Sequence, residues 1–285
     1  METFIIKACS DLGVNIDGAK SGPDLIAAGE DFNKIIAVTA ENIEKSKIVD
    51  DLNKNLKHVN SFNDELYKTV QQVIRDGYFP LTLGGDHSIA IGSALASIKE
   101  HGKQGIIWID SHGDFNVPET SPSGNIHGYP FAACCGFNNE HLVEFHDDLF
   151  FSPKNAVLVG ARDIDMPHEL QNLRAAGVTI FTTDDIKNYG VNNIMKKAFE
   201  IANAGTNGVH VSYDIDAIDP VDAPGVSVRV PNGFNSELAM EIVEFIANES
   251  SVNSLDFVEF NPMFDEDDKT LKLVKSFVKK INEHR

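Results

Sequence analysis

The sequence predicts an α/β protein whose mostly parallel central sheet is covered by helices on both faces, giving three α/β/α layers. Short apolar runs rich in β-branched residues alternate along the 285 residues with longer amphipathic stretches. Acidic and histidine residues follow three of these runs directly, and parallel sheets collect functional groups at the carboxyl ends of their strands. No repeat, low-complexity tract or linker interrupts the pattern, so we expect a single domain over residues 1–285.

Seven segments are predicted as strands because each is a short apolar run with a high content of Val, Ile, Phe or Tyr. They are 3–8, 79–83, 105–109, 156–159, 178–181, 209–213 and 252–258. Five segments between or after them repeat apolar residues at intervals of three and four, which predicts helices. They are 65–75, 89–99, 191–203, 236–248 and 269–282. The stretches 117–130 and 220–234 are rich in Gly, Asn and Pro, and we expect long, functional loops there.

Composition excludes several classes of partner. The net charge of −19, from 43 acidic and 24 basic residues, would repel nucleic acid and anionic membranes. The N-terminus has no signal-peptide pattern, and no apolar stretch approaches the roughly 20 residues of a membrane span. Three cysteines are too few for a disulfide framework and indicate a reducing compartment. We therefore expect a cytoplasmic protein without nucleic acid or membrane as a partner.

Metal-ligating residue types follow three of the predicted strands. The motifs are Gly-Gly-Asp-His-Ser at 84–88, Asp-Ser-His-Gly-Asp at 110–114 and Asp-Ile-Asp-Ala-Ile-Asp-Pro at 214–220. Residues two apart in an extended chain point to the same side. Asp110, His112 and Asp114 can therefore converge, as can Asp214 and Asp216.

Without cations, these carboxylates and imidazoles would repel one another at the sheet edge, and some would have to take up protons. Two divalent cations would balance the four negative charges and support a hydroxide at neutral pH. Each motif alone has a simpler interpretation, since a lone His87 can be a core histidine and a lone Asp-x-Asp a turn or helix cap. Three motifs at three strand ends favour a metal site, and oxygen donors with some imidazole suit manganese, with zinc, iron or cobalt as alternatives.

The three motifs resemble the signatures of the ureohydrolase family, Gly-Gly-Asp-His, Asp-Ala-His-x-Asp and Ser-x-Asp-x-Asp-x-x-Asp-Pro, and occur in the same order. The resemblance is strong in 83–88, 108–116 and 212–220, and weaker from about 13 to 262. Ser111 stands where alanine is usual, a small change that we do not expect to disturb the ligands. The resemblance implies the three-layer arginase-like fold.

The resemblance also implies the roles of the motif residues around two Mn²⁺ ions. His87 and Asp114 would bind one ion, and His112 and Asp216 the other. Asp110 and Asp214 would bridge the ions, with a bridging hydroxide as nucleophile and Asp114 accepting its hydrogen bond.

The loop Ser-Pro-Ser-Gly-Asn-Ile-His-Gly at 121–128 looks like the arginase version of the substrate loop, so arginine is the expected substrate. By that resemblance Ser123 and Asn125 would bind its α-carboxylate, and Asp165 would lie near its α-amino group. His127 has a reference pKa near neutrality and would shuttle protons; the alternative is a surface loop histidine. Glu259 follows another predicted strand and would pair with the guanidinium, which is always charged.

Two departures from the arginase pattern concern the substrate. Ser227-Val228-Arg229 replaces Gly-Thr-Pro, which removes a threonine hydroxyl, and Arg229 is either a surface residue or favours a more acidic substrate. His168 stands where an acidic residue commonly helps to hold the α-amino group.

The resemblance thus implies an arginase-type amidinohydrolase that converts L-arginine to urea and L-ornithine. The alternatives are a ureohydrolase of agmatine, guanidinobutyrate or formiminoglutamate, or a non-catalytic relative that keeps the fold. Family members commonly form homotrimers or homohexamers, and we expect the same here.

Overall fold

The computed structural model describes residues 1–30, 32–40, 45, 55–138, 140–146 and 149–285. In this part of the chain, eight strands form one sheet in the order β2-β1-β3-β8-β7-β4-β5-β6, and all neighbouring strands are parallel. The strands are β1 (Thr3–Cys9), β2 (Ile35–Thr39), β3 (Phe79–Gly84), β4 (Gly105–Ile109), β5 (Ala156–Ala161), β6 (Thr179–Thr182), β7 (Val209–Asp214) and β8 (Val252–Val258). The predicted α/β class is confirmed, and all seven predicted strands are present.

Helices cover both faces of the sheet. Those described are α1 (Gly22–Ala27), α2 (Leu56–Arg75), α3 (Ala90–His101), α4 (Pro130–Cys134), α5 (His168–Ala176), α6 (Thr183–Tyr189), α7 (Val191–Ala202), α8 (Ser236–Asn248) and α9 (Lys269–His284). The five predicted helices correspond to α2, α3, α7, α8 and α9. Strand β2 and the short helices α1, α4, α5 and α6 were not predicted.

Two hydrophobic cores fill the spaces between the layers. Alternate residues of β4 enter opposite cores: Ile107 and Ile109 pack toward α6–α9, whereas Ile106 and Trp108 pack toward α2–α5. Because both faces are buried, β4 and β5 are apolar along their whole length, whereas β7 and β8 also carry buried polar residues such as His210 and Asp256. None of the described helices combines the length and apolar character that a membrane span requires.

Candidate metal centre and active site

The predicted metal motifs meet because their strands are neighbours. Strands β3, β8, β7 and β4 are consecutive at the middle of the sheet and run in the same direction. His87, Glu259, Asp214 and Asp110 lie at or just after their carboxyl ends. The sheet topology therefore places these four side chains along one edge.

One group of side chains surrounds the His87 imidazole. Its Nδ1 lies 3.1 Å from Asp110 Oδ2, 3.1 Å from Asp114 Oδ2 and 3.2 Å from Asp214 Oδ2. On the other side of the ring, Nε2 lies 2.9 Å from Ser212 Oγ. We call His87, Asp110, Asp114 and Asp214 the first cluster; three of them, His87, Asp110 and Asp214, have donor atoms close enough to hold one metal ion.

A second group lies beside it and shares Asp110. His112 Nδ1 is 2.9 Å from Asp216 Oδ2 and 3.4 Å from Asp110 Oδ1. We call Asp110, His112 and Asp216 the second cluster, and their donor atoms also lie close enough together for one ion. Asp110 thus presents one carboxylate oxygen to each cluster. Asp214 faces the first cluster through Oδ2, while its Oδ1 accepts a hydrogen bond from the Asp216 backbone N–H at 2.7 Å.

Crowding shifts the protonation of these groups. Burial, reinforced by the charge of Asp110, raises the pKa of Asp114 to about 7. Burial and the charges of Asp216 and Asp110 raise the pKa of Asp214 well above its usual range. Burial alone would lower the pKa of His87, but the adjacent carboxylates of Asp110, Asp114 and Asp214 raise it well above its usual value. Protons are therefore retained by the cluster in the absence of other cations.

The donor set fits divalent cations. Asp114 Oδ2 is buried and accepts no hydrogen bond of acceptable geometry, although it lies 3.1 Å from His87 Nδ1. A buried carboxylate oxygen without a partner is costly unless a cation or proton satisfies it. Asp114 also has a φ of +47°, a strained conformation for a residue other than glycine and one that clusters at functional sites.

His127 and Glu259 form a pair next to the clusters. His127 Nδ1 lies 3.1 Å from Glu259 Oε1, and that oxygen also accepts the His87 backbone N–H at 2.9 Å. Burial opposes both charges, yet the hydrogen bond between them raises the pKa of His127 and lowers that of Glu259. The contact thus favours the protonated form of His127 and the charged form of Glu259. Glu259 has a φ of +68°.

A cavity of about 260 Å³ opens onto the clusters. The candidate substrate residues Ser123, Asn125 and Asp165 line it together with His127 and Glu259. Ser123 and Asp165 are exposed, and Asn125 is half-buried. The sequence-predicted residues are thus brought together at one cavity.

Glu169 is a site residue that the sequence reasoning missed. His168 is exposed at the start of α5, whereas the next residue, Glu169, is buried and lines the cavity. The Glu169 carboxylate accepts the backbone N–H of Phe115 at 2.9 Å and that of Asp165 at 2.8 Å. Burial raises its pKa to about 8. The acidic group that arginases commonly have at the position of His168 is therefore supplied here by the next residue, Glu169, which lines the cavity.

Arg229 does not line the cavity. Its guanidinium donates to the carbonyl oxygens of Pro224, at 2.8 Å, and Phe264, at 2.6 Å. This supports the surface interpretation of Arg229 over a role in binding an acidic substrate. Val228, which replaces the usual threonine, does line the cavity, so this part of the wall is apolar.

Comparison with known proteins agrees with this geometry. The family model described as "Arginase family" matches residues 2–282. The chain belongs to the arginase family. It is similar to the arginase of Bacillus caldovelox, with 38% identity over 93% of each chain, and to that of Bacillus subtilis strain 168, with 36% identity over 95% of this chain and 94% of the relative. The solved structure of Entamoeba histolytica arginase in complex with L-ornithine superposes with a TM-score of 0.91 at 27% identity, covering 99% of each chain.

Membership of the arginase family makes the chain an arginase-type ureohydrolase, an enzyme that hydrolyses linear amidines. The family implies a metal-dependent binuclear site, and the two His/Asp clusters are the groups in the described residues that would hold it. The three-layer fold expected from the sequence is confirmed by the superposition.

Proposed function

We propose that this chain hydrolyses L-arginine to urea and L-ornithine with two Mn²⁺ ions. The observation that carries the proposal is the pair of clusters sharing Asp110 at the cavity that also holds Ser123, Asn125 and Asp165. The Entamoeba histolytica relative, whose structure contains L-ornithine, supports the choice of amino acid. Carboxylate oxygens with two imidazoles are a donor set that suits manganese.

His87, Asp110, Asp114 and Asp214 would hold one ion, and His112, Asp216 and Asp110 the other. When bound, two dications lower the pKa of a water molecule so that hydroxide forms at neutral pH. Asp114 would also accept the hydrogen bond of the attacking water and orient that water toward the guanidinium carbon.

Glu259 and His127 would then act on the substrate. The lowered pKa of Glu259 keeps its carboxylate charged, which favours the cationic guanidinium. With Nδ1 engaged by Glu259, His127 offers Nε2 to give a proton to the departing amine. Ser123 and Asn125 would bind the α-carboxylate, and Asp165 the α-amino group.

Urea release from three guanidino compounds tests the substrate. The manganese-loaded protein is incubated with L-arginine, agmatine, which lacks the α-carboxylate, and 4-guanidinobutyrate, which lacks the α-amino group. We expect kcat/KM to be at least about 100-fold higher for arginine, because both polar groups have partners only in that substrate. A higher kcat/KM for agmatine or guanidinobutyrate would overturn the assignment of arginine.

The Asp165→Asn variant refines that test. Loss of the carboxylate should raise the KM for arginine about tenfold or more, while leaving kcat/KM for 4-guanidinobutyrate within about twofold. An equal loss for both substrates would show that Asp165 does not recognise the α-amino group.

We also infer a cytoplasmic location. Cys9, Cys134 and Cys135 are the only cysteines of the sequence, and all three are buried in the structure. This pattern fits a reducing compartment. Fractionation of the native cells should place the urea-forming activity in the cytoplasmic fraction; recovery in an exported fraction would contradict it.

A further inference from the structure

Ser111 occupies an unexpected position in the second cluster. The sequence suggested that serine in place of alanine would leave the ligands undisturbed. In the structure its hydroxyl donates to Asp216 Oδ1 at 2.8 Å and lies 3.1 Å from His112 Nδ1. The side chain therefore contacts two of the three residues of the second cluster.

Two hydrogen bonds from Ser111 fix the Asp216 carboxylate. Besides the hydroxyl, the Ser111 backbone N–H donates to the same Oδ1 at 3.2 Å. Asp216 Oδ2 is left to face His112 Nδ1 at 2.9 Å. The hydroxyl contact thus selects which carboxylate oxygen of Asp216 is directed toward His112.

The Ser111 residue is itself held rigidly. It is fully buried, and its carbonyl oxygen accepts the backbone N–H groups of Arg162 and Asp163, both at 2.9 Å. A buried hydroxyl on a fixed backbone loses little conformational freedom when it orients a neighbour, so its hydrogen bond contributes more than an exposed one.

We propose that Ser111 is a positioning residue for the second cation, tightening its binding by locking Asp216 through the O–H···Oδ1 hydrogen bond. This inference rests on the proposed function, because it requires that the second cluster holds an ion. Groups that orient metal ligands typically change affinity by about 10- to 100-fold when removed. A chain with alanine at 111 would retain only the backbone N–H bond to Asp216.

The test compares Ser111→Ala with the wild-type protein by Mn²⁺ titration of the metal-free protein, using electron paramagnetic resonance to count free ions. Ser93→Ala is the matched control, because Ser93 is a buried serine whose hydroxyl donates to a different aspartate, Asp256, at 2.5 Å. The first cluster has a readout of its own in Trp108, the only tryptophan of the sequence. Trp108 stacks on His87 with ring centroids 4.1 Å apart, and its Nε1 donates to Asp110 Oδ2, the oxygen that faces the first cluster. Its fluorescence should change when that cluster fills.

We expect the wild type and Ser93→Ala to bind two ions with the same affinities. Ser111→Ala should bind the second ion about tenfold more weakly. At limiting metal it should also lose the spectrum of two coupled Mn²⁺ ions. The Mn²⁺ concentration at the midpoint of its Trp108 fluorescence titration should stay within about twofold of the wild-type value. Unchanged second-ion affinity in Ser111→Ala would overturn the role of Ser111. Binding of fewer than two ions by the wild type would instead overturn the binuclear site of the proposed function.

Discussion

Glu259 connects the proposed metal centre to the proposed proton donor. One of its oxygens accepts both the backbone N–H of His87 and the Nδ1 hydrogen of His127. Its backbone adopts a φ of +68°, and its own N–H donates to Gly85 O at 2.7 Å. A strained backbone at this residue persists because three contacts hold it.

His127→Asn should lower kcat by roughly 10² to 10⁴ while both ions are retained, because only the proton donor is removed. The readouts are urea release and metal content by mass spectrometry. The exposed His58→Asn is the control and should retain full activity. Loss of metal from His127→Asn would make this residue structural instead.

Glu259→Gln should shift the pH dependence of kcat. The Glu259 carboxylate raises the pKa of His127, so its removal should lower that pKa. A histidine that donates a proton is active only while protonated, and activity is lost as the pH rises through its pKa. The alkaline limb of the kcat profile should therefore move to lower pH, with a higher KM for arginine. If the alkaline limb of the kcat profile stays at the same pH, His127 is not the proton donor.

Asp110→Asn should lower kcat by about 10³ or more, because Asp110 serves both clusters and its loss weakens both ions. Metal content should fall below two ions per chain in the same preparation. Asp76→Asn, at the exposed end of α2, is the matched control. Near-normal turnover of Asp110→Asn would refute the assignment of the shared ligand.

The sequence predicted the positions of the metal-motif residues better than those of the residues considered for substrate binding. His87, Asp110 and Asp214 sit in motifs at or just after the ends of apolar strands, and the order of the strands in the sheet brings them together. The extended backbone expected for 110–114 and 214–216 is absent, because β4 ends at Ile109 and Asp216 lies in a 3-10 helix. The direction of Glu169 depends on where α5 begins, which its sequence does not mark with an apolar repeat. The direction of Arg229 likewise depends on carbonyl groups of distant segments.

At the scale of elements, the missed ones are short or exposed. Strand β2 lies at the sheet edge with four of its five residues exposed, although its Ile-Ile-Ala-Val-Thr sequence was a usable signal. Helix α4 has five residues and α6 seven, too few for an apolar repeat. The capping box of Thr182 and Asp185 was the available signal for α6. Burial and pairing with distant segments determine these elements more than local pattern.

The Arg162 side chain links the segment that carries Asp216 to the loop at 230–231. Arg162, just after β5, donates to the carbonyl oxygens of Asp216 at 2.7 Å and Ala217 at 3.0 Å. It also donates to those of Val230 at 2.8 Å and Pro231 at 3.1 Å. The guanidinium thus joins two loops that are also linked by the backbone hydrogen bonds of Asp219 and Phe234.

Arg162→Met should lower the free energy of unfolding by roughly 3 kcal/mol, because hydrogen bonds to a charged group are lost and carbonyl oxygens lose their donors. Urea unfolding monitored by circular dichroism measures this. Arg174→Met, at an exposed position on α5, should change the value by less than about 0.5 kcal/mol. Equal stability of the two variants would show that Arg162 does not join the loops.

For the whole molecule, three buried acids make stability depend on pH. Burial, as the main cause, raises the pKa of Asp86 to about 6, of Asp114 to about 7 and of Glu169 to about 8. In the unfolded chain the same carboxyl groups titrate near pH 4. Between about pH 4 and pH 8 the folded protein therefore binds more protons than the unfolded chain, and its stability falls as the pH rises.

Other shifted groups do not reverse this direction, although the lowered pKa of partly buried His101 opposes it at and below about pH 6.5. The raised pKa values of His87 and His112 also make the folded state retain protons, which adds to the loss of stability above about pH 6.5. The lowered pKa values of Asp110 and Glu259 reduce stability only when the pH falls below about 4 to 5. That range lies at or below the lower limit of the window set by the three buried acids.

The metal-free protein should therefore be less stable at pH 8 than at pH 5 by a few kcal/mol, as measured by urea unfolding in the presence of a chelator. Mn²⁺ should stabilise the protein more at pH 8 than at pH 5, because at pH 5 the cation must displace protons from the clusters. Glu169→Gln removes one titrating group outside the clusters and should reduce the pH dependence without removing the effect of Mn²⁺. If the free energy of unfolding of the metal-free protein stays constant or rises from pH 5 to pH 8, the proposed effect of the buried acids is wrong.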